Sequence, residues 1–366
     1  MEQAVVHYKC PSCSAPLAYD GVSAKLACKS CGNEFEAEAV RQADEVLRAA
    51  EQQPAAEWAR AGDGAWPAGE AGQLRSYGCP SCGAQIVVDE TTAATECVYC
   101  GNNAIMPEQL SGAFRPDAVL PFVKRKEDAV AAYKAHIAGK RLLTKALASE
   151  NRMEKITGVY VPFWLFDCEA EGDVAYRAER IHEHTSGDER VTVTEHYLVQ
   201  RGGALGFVGV PVDGSSKFDD VLMESIEPFD YGQEAAFSTA YLPGYQAERY
   251  DVDAQAAEPR AEQRIADSVA DAFLDTVVGY HSVTTQSSSI RLGYGKVRNV
   301  LLPVWMLKTQ WRGKTRTFAM NGQTGKLVGN LPISGARAFK WGLSVLLGST
   351  IGLFALAFAL ASMGVL

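Results

Sequence analysis

Residues 156–181 read ITGVYVPFWLFDCEAEGDVAYRAERI, an apolar, aromatic and β-branched run entered through Pro162, and this composition predicts strand. The run has an echo. Residues 161–166, VPFWLF, are matched by residues 302–307, LPVWML. Proline cannot donate to a β-ladder, so Pro162 and Pro303 are expected at the first residue of a strand or on an edge. The two segments are either paired halves of one antiparallel sheet or two buried strands of similar composition.

Outward from this core, residues 189–212 alternate most clearly at Val191, Val193, Tyr197 and Val199, with HTSGDE (184–189) as the preceding turn. Strands return over 296–329, where NGQTG (321–325) has hairpin-turn chemistry. Two helices are predicted between them. Residues 126–140 place Val130, Tyr133 and Ile137 on one face and end near Gly139, while residues 258–278 repeat Ile265, Val269, Phe273 and Val277 at four-residue steps and end at Gly279. The stretch 115–333 is therefore expected to be a larger α+β domain, an antiparallel sheet with helices.

The N-terminal third has different punctuation. Cys10, Cys13, Cys28 and Cys31 form C-x2-C-x14-C-x2-C, and Cys79, Cys82, Cys97 and Cys100 repeat the pattern 69 residues later, with shared CPSC and CGN ends. Two tight turns that each present a pair of thiolates complete a tetrahedron, and four sulfurs leave no open position, so each site is expected to hold structural zinc, with iron or a metal-free redox form as the alternatives. His7 lies close enough in sequence to substitute as a ligand, but four thiolates already suffice. Residues 1–36 and 75–108 are thus read as two zinc ribbons, joined over 37–74 by a helix running up to Pro54 and a Gly/Ala/Pro linker carrying Trp58 and Trp66. Each tryptophan is expected either to anchor a partner or to pack against the ribbons.

The chain has 366 residues, 47% hydrophobic and 22% charged, with a net charge of -9 and a pI near 5.3. That balance disfavours general affinity for nucleic acid. Residues 1–40 hold three Lys and no Arg against five acidic residues, and residues 75–108 hold one Arg against four, so both ribbons are acidic. Eight of nine cysteines in two-residue pairs indicate a reducing, cytosolic compartment rather than a disulfide scaffold. MEQAVVHYKC has no signal-peptide apolar region.

Other chemistry-bearing residues form no catalytic pattern. His182 and His184 would share a strand face with His196 nearby, which gives either a metal site or exposed histidines flanking a turn. Asp167, Glu169, Glu171 and Asp173 are either paired carboxylates or a solvated strand edge. Cys168, the ninth cysteine, reads as a buried small hydrophobe. There is no Walker A loop, Rossmann fingerprint or G-x-S-x-G elbow.

Residues 341–366, WGLSVLLGSTIGLFALAFALASMGVL, are uncharged and proline-free beyond the roughly 20 needed to cross a bilayer, with Arg337 and Lys340 just before them. A single C-terminal transmembrane helix is expected, anchoring a cytoplasmic N-terminal bulk to the cell membrane. Ser344, Gly348 and Gly352 form a small-xxx-small stripe for self-association.

The segments at 150–180 (ENRMEKITGVYVPFWLFDCEAEGDVAYRAER), 210–231 (VPVDGSSKFDDVLMESIEPFDY) and 301–332 (LLPVWMLKTQWRGKTRTFAMNGQTGKLVGNLP), together with both ribbons, resemble bacterial TFIIB-type zinc-ribbon-containing membrane proteins, sometimes catalogued as primosomal helicase-like. The helicase label does not carry over to a chain without a Walker motif. The resemblance implies an adaptor for phage-shock-protein-A-like and SPFH or virion-core-like operon companions in envelope stress. It also implies that the eight ribbon cysteines are the zinc ligands. The expected function is a membrane-anchored docking scaffold without catalysis; the alternative is a nucleic-acid-binding or transcription-related zinc-ribbon protein.

Overall fold

In a computed structural model of the chain, the described residues are 8, 10, 15–21, 23–42, 56–62, 64, 66, 74–89, 97–100, 102, 106–108, 115–138, 140, 155–186, 189–311, 314–329, 331 and 335–362. Among them strands dominate. One three-stranded sheet contains β1 (Leu17–Asp20), β2 (Lys25–Cys28) and β3 (Glu34–Phe35). A 13-stranded sheet contains β4 (Trp58–Arg60), β5 (Leu74–Gly78), β6 (Gln85–Asp89), β7 (Met106–Glu108), β8 (Ala118–Val119), β9 (Thr157–Ser186), β10 (Glu189–Asp213), β11 (Ala235–Ala236), β12 (Gln246–Glu248), β13 (Ser282–Leu292), β14 (Gly295–Trp311), β15 (Lys314–Asn321) and β16 (Leu327–Gly329). The main helices are α1 (Lys126–Ile137), α2 (Asp220–Ser225), α3 (Ala254–Asp275) and α4 (Gly335–Ser362).

The expected α+β class is therefore corrected to a sheet-rich fold with few helices. The physical reason lies in the long strands. β9 continues for 30 residues, straight through the acidic run, because Cys168, Ala170 and Gly172 are buried while Asp167, Glu169, Glu171 and Asp173 face outward or are half-buried. Charge at every second position does not interrupt a strand; it marks the solvated face.

Two compact units divide the chain: unit 1 comprises Met1–Gly62, Trp164–Val212 and Asp253–Arg298, and unit 2 comprises Asp63–Phe163, Asp213–Val252 and Asn299–Leu366. In unit 1, β9 pairs antiparallel with β13, from Glu179↔Ser282 to Ala170↔Leu292, and β4 pairs parallel with the start of β14. Helix α3 is capped by Asp253, whose Oδ1 accepts from Ala256 N at 2.8 Å, so it starts ahead of the predicted residue 258. Its stripe of Ile265, Val269 and Phe273 is buried with Ala170, Val174 and Tyr176 of β9.

In unit 2, β5 and β6 form a hairpin that joins the large sheet through β12, with Ala247↔Val87 and Glu248↔Ile86. Helix α1 buries Ala129 and Tyr133 against Trp305, Leu307 and Phe318, with the predicted Val130 and Ile137 partly buried on the same cluster. The NGQTG turn closes β15 onto β16: Asn321 Oδ1 accepts from Gln323 N and Thr324 N at 2.9 Å, and Gly325 takes φ +83°, a conformation that favours glycine.

Pro162 and Pro303 stand within β9 and β14 rather than at strand starts, and their carbonyls accept from Gly214 N and Gly322 N at 2.8 Å. β9 and β14, which carry the two echoing segments, are neighbours in the sheet. Trp66 packs on the cluster that holds Leu74 and Val87 of the second ribbon, as expected, whereas Trp58 packs in the core of unit 1. Trp58 meets Phe166 edge-on at 4.9 Å and donates Nε1 to Glu262 at 3.2 Å; Trp66 meets Phe237 at 6.0 Å. Of the helix predicted up to Pro54, residues 37–42 are helical and residues 43–55 lie outside the described set.

The expected transmembrane helix and the single-pass, membrane-anchored localisation are also corrected. Among the described residues, no helix is long and apolar enough to cross a membrane. Helix α4 is 28 residues long, but Arg337 and Lys340 stand in its opening turns.

Candidate metal centres

Each C-x2-C turn is closed by the same backbone bond, from the first cysteine's N–H to the carbonyl five residues on. In the first ribbon Cys10 N donates to Ala15 O at 2.7 Å and Cys28 N to Asn33 O at 2.9 Å; in the second Cys79 N donates to Ala84 O at 2.9 Å and Cys97 N to Asn102 O at 2.8 Å. In the three turns whose cysteines are both described, the bend brings the two thiols of a pair to the same cluster. Gly32 and Gly83, four residues after Cys28 and Cys79, take φ +75° and +70°, which lets the chain return to the next strand.

The second centre is fully described. The Sγ atoms of Cys79, Cys82, Cys97 and Cys100 all lie within 4.8 Å of one another, with Cys79–Cys100 at 3.5 Å and Cys82–Cys97 at 3.6 Å. A tetrahedron of ~2.3 Å metal–sulfur bonds has edges of about 3.8 Å, whereas a disulfide needs about 2.05 Å. The thiols are arranged for an ion and not for a bridge. In the first centre Cys10, Cys28 and Cys31 converge in the same way, with Cys10–Cys31 at 3.6 Å; Cys13 lies outside the described residues, as does His7.

The two centres sit differently in the fold. β1, β2 and β3 of the first ribbon form their own sheet, whereas β5, β6 and β7 of the second are strands of the 13-stranded sheet. The second centre also has a shaped polar environment, all of it in unit 2. Cys97 is buried, and burial pushes its thiol up, as it does that of Cys82. Burial opposes ionisation of Cys79 too, but the backbone N–H groups of Cys82 and Ser81 outweigh it and bring that thiol down to about 7. Binding of a divalent ion to such a set displaces the remaining protons.

The chain is 33% identical over 337 residues to YdjG of Bacillus subtilis (strain 168), described as an uncharacterized protein, and the match covers 92% of this chain and 93% of that relative. The chain belongs to the YdjG family. No family model matches it, and no solved structure matches it.

Around the second centre of this YdjG-family chain stand groups that the sequence pattern did not single out. Tyr99, between Cys97 and Cys100, is buried and meets Phe218 edge-on at 5.1 Å. Lys308 of β14 places Nζ 5.2 Å from the Tyr99 ring centroid and 5.5 Å from that of Phe218. Glu248 of β12 is buried, and Ser215 Oγ donates to its Oε1 at 2.8 Å. Its Oε2 and the Tyr99 hydroxyl are both buried, and the two side chains interact. Burial pushes the Glu248 carboxyl up to about 8 and, with the nearby Glu248 and cysteine charges, raises the Tyr99 phenol well above its ordinary value. Lys308 also lines a cleft of about 490 Å³ together with Phe218, Lys217 and residues of α2, β15 and β16.

The histidines do not converge. His182 Nε2 faces Glu195 and His196 Nδ1 faces Glu179, each at 3.4 Å, and His184 is exposed. The only groups of metal-ligating side chains among the described residues are the two cysteine sets. Cys168 is buried in the core of unit 1, and burial pushes its thiol up to about 11. Asp167 is held by Arg298 and accepts from Gly209 N at 2.6 Å, a structural tie rather than an acid–base pair.

Proposed function

We propose that the chain is a zinc-dependent protein-docking scaffold, with one zinc ion held by Cys10, Cys13, Cys28 and Cys31 and another by Cys79, Cys82, Cys97 and Cys100. The observation that carries this reading is the closed four-sulfur cluster at the second centre, with no fifth metal-ligating side chain among the described residues. A thiolate set filled by protein ligands keeps no place for water or substrate, which favours structural over catalytic zinc. The ribbons then serve as rigid, acidic presentation modules. Phage-shock-protein-A-like and SPFH or virion-core-like proteins are the partners that the sequence resemblance suggests, and an envelope-stress role goes with them.

The test is affinity capture of these purified candidates on the zinc-loaded, full-length protein, repeated with C79S and after chelation. Binding that disappears in both controls is the expected result. A protein that carries two zinc ions per chain and captures none of the candidates overturns the docking assignment.

A further inference from the structure

We propose that Lys308 is the charge-compensating positioning residue of the second metal centre. Its ammonium, delivered on β14, offsets the negative charge of four thiolates around a divalent ion. This rests on the zinc reading above and adds to it the group that makes the second site favourable within its surroundings.

The need for such a cation follows from charge. Four thiolates around one divalent ion leave a net charge of two minus, and the second centre is partly desolvated, where uncompensated charge is costly. The first ribbon carries Lys25 and Lys29 between its cysteine pairs and their ends. The second ribbon has Arg75 at its start but no Lys or Arg from Cys79 to Asn102. Its cation has to come from elsewhere in the chain.

Lys308 meets that need. It is partly buried, rests on the ring of Tyr99 between two of the four cysteines, and has no carboxylate within ion-pair distance among the described residues. Burial lowers its tendency to hold a proton, while Cys97, Glu248, Cys82 and Cys100 act in the opposite sense. A partly buried ammonium without an ion pair among the described residues, placed over a knuckle that lacks any positive residue, is accounted for by the metal site.

The experiment uses the full-length protein, stripped and reloaded, with zinc affinity read by competition against a chromophoric chelator and cobalt(II) charge-transfer absorption as the signature of thiolate ligation. In K308M one of the two ions is expected to bind about tenfold or more weakly, the range for groups outside the ligand shell, while the other ion is unchanged. K308R is expected to recover most of the loss because it keeps the charge. Should K308M fail to fold, K308Q gives the same comparison. Two ions binding to K308M as in the wild type overturn the proposal, and so does K308R falling as far as K308M, which would mark a packing role. A wild-type chain that takes up no metal instead sinks the zinc reading and this inference with it.

Discussion

Glu248 shows what a single buried carboxyl does to this protein. With its folded-state value near 8 against an ordinary 4.5, the native state holds a proton that the unfolded chain has given up. Stability from this group is therefore fully present below about pH 4.5 and is lost as pH rises to about 8, at no more than roughly 1.4 kcal/mol per pH unit. Urea midpoints measured from pH 5 to 8 should fall in the wild type by a component that E248Q lacks; parallel curves would refute it. Gly83 gives a second prediction at this scale. A Cβ there meets nothing within 4 Å, so G83A is strained only through its φ of +70°, and should cost about 1 kcal/mol in a denaturant titration of the zinc-loaded protein. C97S should lower bound zinc from two ions per chain to one by elemental analysis. The cysteines were legible in the sequence because local spacing alone encodes their turns. Lys308, Glu248 and Tyr99 were not, since their proximity is created by pairing between strands far apart in the chain, which spacing cannot reveal.

Among the elements, α3 was the most readable, because a four-residue apolar step survives in sequence whatever the helix packs against. Its beginning was displaced by Asp253, a cap invisible to a search for apolar periodicity. Replacing Ile265, fully buried in the unit 1 core, with alanine should cost about 3 kcal/mol in urea unfolding and leave zinc content unchanged. A cost below about 1 kcal/mol would show that the stripe does not anchor the helix. The strands were recognised as strands but underestimated in length. At Asp167–Asp173 the acidic residues resembled an ending, whereas small side chains between them keep the inward face continuous. The apolar tail illustrates the opposite error: an uncharged run suggested a membrane span, yet the described helix does not reach the required apolar length.

At the level of the whole chain, the effect of removing metal should spread further from the second ribbon than from the first, because β5 and β6 belong to the large sheet while β1 to β3 form a separate one. Hydrogen exchange after chelation is expected to increase in β6 and β12 as well as in the knuckles; exchange confined to the cysteine turns would contradict this. The net charge of -9 leads to a further expectation, no gel shift of DNA or RNA even at low salt. A salt-sensitive shift would restore the nucleic-acid reading.

Each unit is gathered from three separated stretches, and unit 1 is not complete until Arg298, unit 2 until well beyond it. Such a chain cannot finish one domain while the ribosome is still making the next. On a timescale of ~5–20 residues per second, the nascent protein spends many seconds with strands of both units waiting for partners that have not been synthesised. The cysteine knuckles are the exception, since each set closes over a few dozen neighbouring residues, and under the proposed zinc binding they would give the emerging chain its earliest fixed points.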